Sequence, residues 1–198
     1  MNRTPSAKFF VPPMYQTRSE AHLVQGPFAQ SNWVVKDRVL CGPMPDPRRK
    51  VAFGSLCKAN ITTFVNLLEN DGTLEHYLRP YREATGNQNV TQISFPMQDG
   101  FPLPPARFEE LTKVLRQIVD IIIEGEGRVY IHCKNGHGRA GIVVSCLLAM
   151  LYNLPGMRAV NYCDSLHSCR VETEDQSSPQ TQEQRLCVLD FTSKNIGA

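Results

Sequence analysis

The stretch that most constrains this chain is residues 132–141, His-Cys-Lys-Asn-Gly-His-Gly-Arg-Ala-Gly. The β-branched and aromatic run Arg128-Val129-Tyr130-Ile131 leads into it, and an apolar helical pattern from Ile142 to Tyr152 leads out. The spacing predicts a strand, a tight loop and a helix in succession. Such a junction binds anions, because the helix presents its positive dipole end and glycines let successive N–H groups turn inward. Gly136 and Gly138 supply that freedom here. Cys133 stands at the mouth of the predicted cradle, where the helix end and a guanidinium favour the nucleophilic thiolate. Arg139, six residues on, can hold two oxygens of a phosphoryl group in a planar fork.

Elsewhere strands and helices alternate. Residues 31–35 open the domain, 38–42 form a first strand, and prolines between 43 and 47 make a turn. A short helix is expected over 49–58. Residues 61–68 are an almost unbroken apolar and β-branched run, as expected of a central strand buried on both faces. A weaker helix follows over 74–82 and a strand over 90–95. Phe108, Leu111, Val114, Leu115, Ile118, Val119 and Ile122 recur at helical spacing until Gly125. Helices over 139–152, 156–167 and 181–191 complete the pattern. The expected fold is α/β, a largely parallel central sheet flanked by helices on both faces. Ligands in such sheets sit beyond the carboxyl ends of the strands, where residues 132–141 fall. Residues 1–30, with Pro5, Pro12, Pro13 and Pro27 among polar residues, read as an N-terminal extension, and 31–198 as one domain.

With 198 residues, 41% apolar and 20% charged, the chain suits one medium domain, and a net charge of +2 gives no electrostatic case for nucleic acid or a membrane surface. The longest apolar stretch, 141–152, is too short to span a bilayer. Residues 1–14 show no signal-peptide pattern, and seven cysteines form no regular framework. The cytosol is the expected location. Cys163, His167 and Cys169 fit no zinc spacing, so no metal or cofactor is expected.

Cys-x5-Arg preceded by His132 resembles the P-loop of the protein tyrosine phosphatase superfamily, its dual-specificity branch in particular. The resemblance extends over about residues 31–193. It implies hydrolysis through a phosphocysteine on Cys133, with Lys134, Asn135, Gly136, His137, Gly138 and Ala140 around the phosphoryl group and His132 orienting the loop. The family places its general-acid Asp on a loop some thirty residues before the Cys. Asp99, in Phe95-Pro96-Met97-Gln98-Asp99-Gly100, matches that place better than Asp71 does. The segment 178–184, Ser-Pro-Gln-Thr-Gln-Glu-Gln, resembles the family's glutamine segment. Gln180 then positions the hydrolytic water, with Gln184 in support.

One position departs from the pattern. The family has Ser or Thr after the loop Arg to stabilise the departing thiolate, whereas this chain has Ala140, which predicts slow release of the phosphoryl group from Cys133. Lys134 and His137 resemble the basic positions of the phosphoinositide-phosphatase branch. Phosphorylated proteins are the first expected substrates, phosphoinositides the second and RNA 5′-phosphates the third, since no basic stripe interleaved with aromatics is present. Ala140 also leaves open a phosphate-binding module of low turnover, and a rhodanese-like cysteine enzyme would use a similar loop without needing Asp99. Arg170 is expected in a surface salt bridge, with an acidic substrate as its alternative partner, and Trp33 in the packing at the start of the domain.

Overall fold

The computed structural model describes residues 13–16, 19–69, 74–125 and 127–195. Most of residues 1–18 and Asp71 therefore lie outside the described residues. Five strands, β1 (Asn32–Val35), β2 (Val39–Gly42), β3 (Thr63–Asn66), β4 (Thr91–Ser94) and β5 (Val129–His132), form one sheet in the order β1-β2-β5-β3-β4. β2, β5, β3 and β4 are parallel, as expected. The opening residues of the domain add an antiparallel edge, because only three residues separate β1 from β2 and so short a link permits a hairpin alone. β5, which carries the loop, is the middle strand. The run at 61–68 lies beside it rather than at the centre, and is buried along its whole paired length.

Strand residues alternate between two apolar clusters, as a sheet covered on both faces demands. Val39, Cys41, Val65, Val129 and Ile131 face one cluster, and Leu40, Phe64 and Tyr130 face the other. α4 (Phe108–Glu124), α5 (Gly138–Tyr152), α6 (Gly156–His167) and α7 (Gln182–Asn195) pack on the first face. α2 (Lys50–Lys58) and α3 (Leu74–Thr85) cover the second, where Trp33 also lies. The short α1 (Ala21–Val24) seats Val24 in the larger cluster.

α4 shows how local signals set an element. Phe108, Leu111, Val114, Leu115, Ile118 and Ile122 are its buried stripe, and Gly125 ends it in the left-handed conformation at φ 76°. Each large side chain in that stripe contributes roughly 1.5–3 kcal/mol of burial. α5 has no polar face over its first twelve residues, all buried, which is why its sequence is apolar all round. Among the described residues no single helix is long and apolar enough to cross a membrane.

Candidate active site

Gly42, His132 and Asn66 stand side by side at the carboxyl ends of β2, β5 and β3. Cys133 is the next residue, so the loop opens above the middle of the sheet. At Gly136, φ is +79°, and a Cβ there would lie 2.4 Å from the carbonyl carbon of Gly42. Only glycine fits.

Three loop carbonyls are drawn outward by the scaffold. The Met44 N–H donates to Lys134 O at 3.0 Å, Arg170 Nη2 to Gly136 O at 3.1 Å, and Ser178 Oγ to His137 O at 2.9 Å. A trans peptide sets each carbonyl opposite the next N–H, so these bonds turn the amides of Asn135, His137 and Gly138 inward. α5 begins at Gly138 and adds its dipole end to the same spot. Cys133, almost fully buried, holds its Sγ within the loop and accepts the Gly136 N–H at 3.2 Å.

Arg139 is 4% exposed. Its Nη1 donates to Met97 O at 3.3 Å, and its Nη2 meets Asp99 Oδ1 at 2.9 Å. Its Nε is buried without a hydrogen-bond partner among the described residues. A buried donor left unpaired costs free energy that an oxyanion in the cavity would recover. Asp99, Cys133, Lys134, Asn135, His137, Gly138, Arg139 and Gln180 line one cavity of about 310 Å³. Lys134 and Asn135 are exposed at its mouth.

Other expected residues sit behind or beside this cavity. His132 is fully buried. Its Nδ1 lies 3.4 Å from Cys133 O and its Nε2 2.8 Å from the Tyr77 hydroxyl, which also donates to Gln92 Oε1 at 3.0 Å. Gln184 is buried, and its Oε1 accepts the N–H groups of Gln180 and Thr181 at 3.1 and 3.2 Å. Its amide also packs so close to Gly138 that a Cβ there would meet it at 2.7 Å. Gln180 Nε2 donates to Gln176 Oε1 at 2.7 Å.

Three loop residues take a more particular place, and the expectation for Arg170 is corrected. Gly136 does not line the cavity: its N–H serves Cys133 and its carbonyl serves Arg170. Ala140 does not line it either, since it is fully buried in the larger core cluster. His137 offers no added positive charge. Burial first, then the Arg170 guanidinium, push its pKa below the usual imidazole value, while Glu174 opposes the shift. Its Nε2 faces Glu174 Oε2 at 3.4 Å and its Nδ1 meets His167 Nε2 at 2.8 Å, which sets it as a neutral ring donating from Nε2. Arg170 is no surface salt bridge. It is buried, with Nε donating to Asn32 Oδ1 at 2.8 Å and Nη2 shared between Cys41 Sγ and Gly136 O.

Arg170, Ser178, His167 and Tyr77 thus carry the loop from behind. Ser178 opens the glutamine segment, whereas no residue pattern marks Arg170, His167 or Tyr77 as supports, because each acts through a contact remote in sequence. Among the described residues no group of three or more His, Cys, Asp or Glu is placed to hold a metal ion.

Burial also gives the protein an acid limit. Desolvation pushes His132 down to about 3, and pushes His167 there as well with help from Arg170. The unfolded chain takes up these protons near pH 6.5 and the native one only near pH 3. The stability gained from keeping the rings neutral is therefore complete above pH 6.5 and is lost as pH falls toward 3. The slope is about 1.4 kcal/mol per pH unit for each ring. Urea unfolding should show His132 contributing a loss of about 2.3 kcal/mol between pH 6.5 and 4.5; a flat profile would contradict this assignment.

A buried cysteine in an amide cradle, closed by a buried arginine and faced by an aspartate, is the site of the cysteine-dependent phosphatases. The chain belongs to the family described as Swiss Army Knife protein, DSP-PTPase phosphatase domain, whose model matches residues 28–188. It is 31% identical over 144 residues to a putative tyrosine phosphatase, 067L, of Invertebrate iridescent virus 3, covering 71% of this chain and 55% of that protein. It is 25% identical over 121 residues to the mouse dual specificity protein phosphatase CDC14A, covering 61% of this chain and 19% of that one. The chain spans about half the length, or less, of these curated relatives. Among solved structures, Tk-PTP in its active form superposes with a TM-score of 0.65 at 22% identity, over 84% of this chain and 99% of its own. PTPMT1 in complex with PI(5)P gives 0.62 at 17% identity, over 83% and 96%. Both likenesses are of fold.

Proposed function

We propose that this chain hydrolyses phosphate monoesters on tyrosine, and on serine or threonine, of cytosolic proteins through a phosphocysteine. The observation that carries the reading is the buried Arg139 beside Cys133 and Asp99 on one cavity. A phosphoryl group entering there takes the inward amides and the Arg139 fork, and displaces Asp99 from Nη2. The Cys133 thiolate attacks phosphorus, the S–P bond forms and the P–O bond breaks. Asp99, released from Arg139 and protonated from solvent, gives that proton to the departing oxygen. A water placed by Gln180 then gives a proton to the Asp99 carboxylate and attacks phosphorus, the S–P bond breaks, and phosphate leaves. Seven free thiols, Cys133 among them, suit a reducing compartment.

Ala140 bears on the second step, because it supplies no hydroxyl to the leaving thiolate. One such hydrogen bond is worth about 1–3 kcal/mol, or roughly 5- to 150-fold in rate. With p-nitrophenyl phosphate, reductant and no added metal, a burst of nitrophenol near one equivalent should precede slow turnover. Ala140→Ser should raise the slow phase and shrink the burst. No release by the wild type above that of Cys133→Ser would favour the low-turnover binding module instead. The exposed Lys134 favours a second reading, a phosphoinositide headgroup, such as the one PTPMT1 binds in its solved structure.

A further inference from the structure

Beside the catalytic cavity runs a second, larger one of about 750 Å³ that takes no part in the chemistry. The two share both walls. One is the loop after β4, whose Asp99 and Gly100 face the catalytic cavity while Gln98 and Phe101 face the other. The second wall is the start of α7, where Gln180 faces the catalytic side and Glu183 and Leu186 the other. The groove thus lies on the far side of the same loop that borders the catalytic cavity, one to two residues along the chain from Asp99.

Its surface is apolar where it is open. Phe101 is 56% exposed and Leu186 54%, and Leu103 and Phe108 form part of the floor. Large apolar side chains left in water beside a catalytic mouth mark a binding surface. Charge at the rim decides what it suits. Asp190 is paired with Lys194 at 2.8 Å and Arg107 with Glu110 at 2.6 Å, so those charges cancel. Glu69 and Glu183, both exposed, form no ion pair with a described residue and leave the rim negative. A negative rim repels the anionic surface of a phosphoinositide membrane and attracts cationic side chains.

We infer that this groove binds the polypeptide flanking the phosphorylated residue, and selects substrates with an apolar residue next to Lys or Arg. The inference rests on the protein-phosphatase reading and deepens it. It also explains how a phosphate cradle can discriminate among phosphoproteins, since even one methylene in an apolar pocket is worth about 10- to 200-fold.

The test uses the Cys133→Ser protein, which holds phosphopeptide without consuming it. Its Kd is measured for two phosphotyrosine peptides of equal length, one flanked on both sides by Leu, Lys and Arg and the other by Gly, Asp and Glu. The first should bind at least tenfold tighter. Because the cradle itself favours acidic peptides, overall charge would give the opposite order. Adding Leu186→Ser and Glu183→Gln to Cys133→Ser, with Glu183→Gln keeping the polar group at the helix start, should remove most of the preference. Equal Kd values, or a preference untouched by the added substitutions, would overturn the groove. Leu186-dependent binding to phosphatidylcholine vesicles carrying a phosphatidylinositol monophosphate would overturn it in favour of a lipid occupant. Failure of the wild type to release nitrophenol, with the peptide preference intact, would sink the hydrolase reading and leave the groove standing.

Discussion

Arg139→Lys is expected to lower kcat/KM for p-nitrophenyl phosphate by at least about 10²-fold, the scale of losing one preorganised donor to a transition-state oxyanion. The substitution keeps a positive charge, so a plain electrostatic attraction would survive it. It removes the planar fork: the Nε that is buried and unpartnered, and the Nη1 that Met97 O holds in place. The loss should fall on kcat as well as on KM, because the planar fork matches the equatorial oxygens as they flatten in the transition state. A loss below tenfold, confined to KM, would mean that Arg139 only gathers anions.

Asp99→Asn should lower kcat by about 10²- to 10⁴-fold for substrates with a poor leaving group, the usual worth of a positioned proton donor. The size should depend on the ester. An alkyl phosphate such as phosphoserine must receive a proton as its bond breaks, whereas nitrophenolate leaves readily without one. Asp99 also pairs with Arg139 Nη2, so removing its charge frees that donor and should leave phosphate binding unimpaired or tighter. Equal losses for both esters, or weaker phosphate binding, would remove Asp99 from the acid's role.

The strand, loop and helix around Cys133 were legible because each depends on neighbours in sequence: β-branched residues before, glycines within, an apolar run after. α4 was legible for the same reason, with its stripe and its terminal Gly125. The supports of the loop were not. Arg170 reaches Asn32 across 138 positions and Gly136 across 34, and nothing local distinguishes it from a surface arginine. His137 looked like a charged group because its burial against His167 and Arg170 exists only in the folded chain. Ala140 belongs to the loop by its place beside Arg139, and only the folded chain shows it fully buried in the same cluster as Cys133. The edge strand β1 shows the reverse case, where a three-residue link dictated antiparallel pairing once its ends were known.

The most direct test of the covalent route is mass spectrometry of the wild-type protein quenched in acid within the burst of p-nitrophenyl phosphate hydrolysis. The account predicts one added phosphoryl group on the peptide containing Cys133, present in the burst and reduced in Ala140→Ser. Nitrophenol release at full rate with Cys133 unmodified at every time, or undiminished in Cys133→Ser, would contradict a phosphocysteine mechanism.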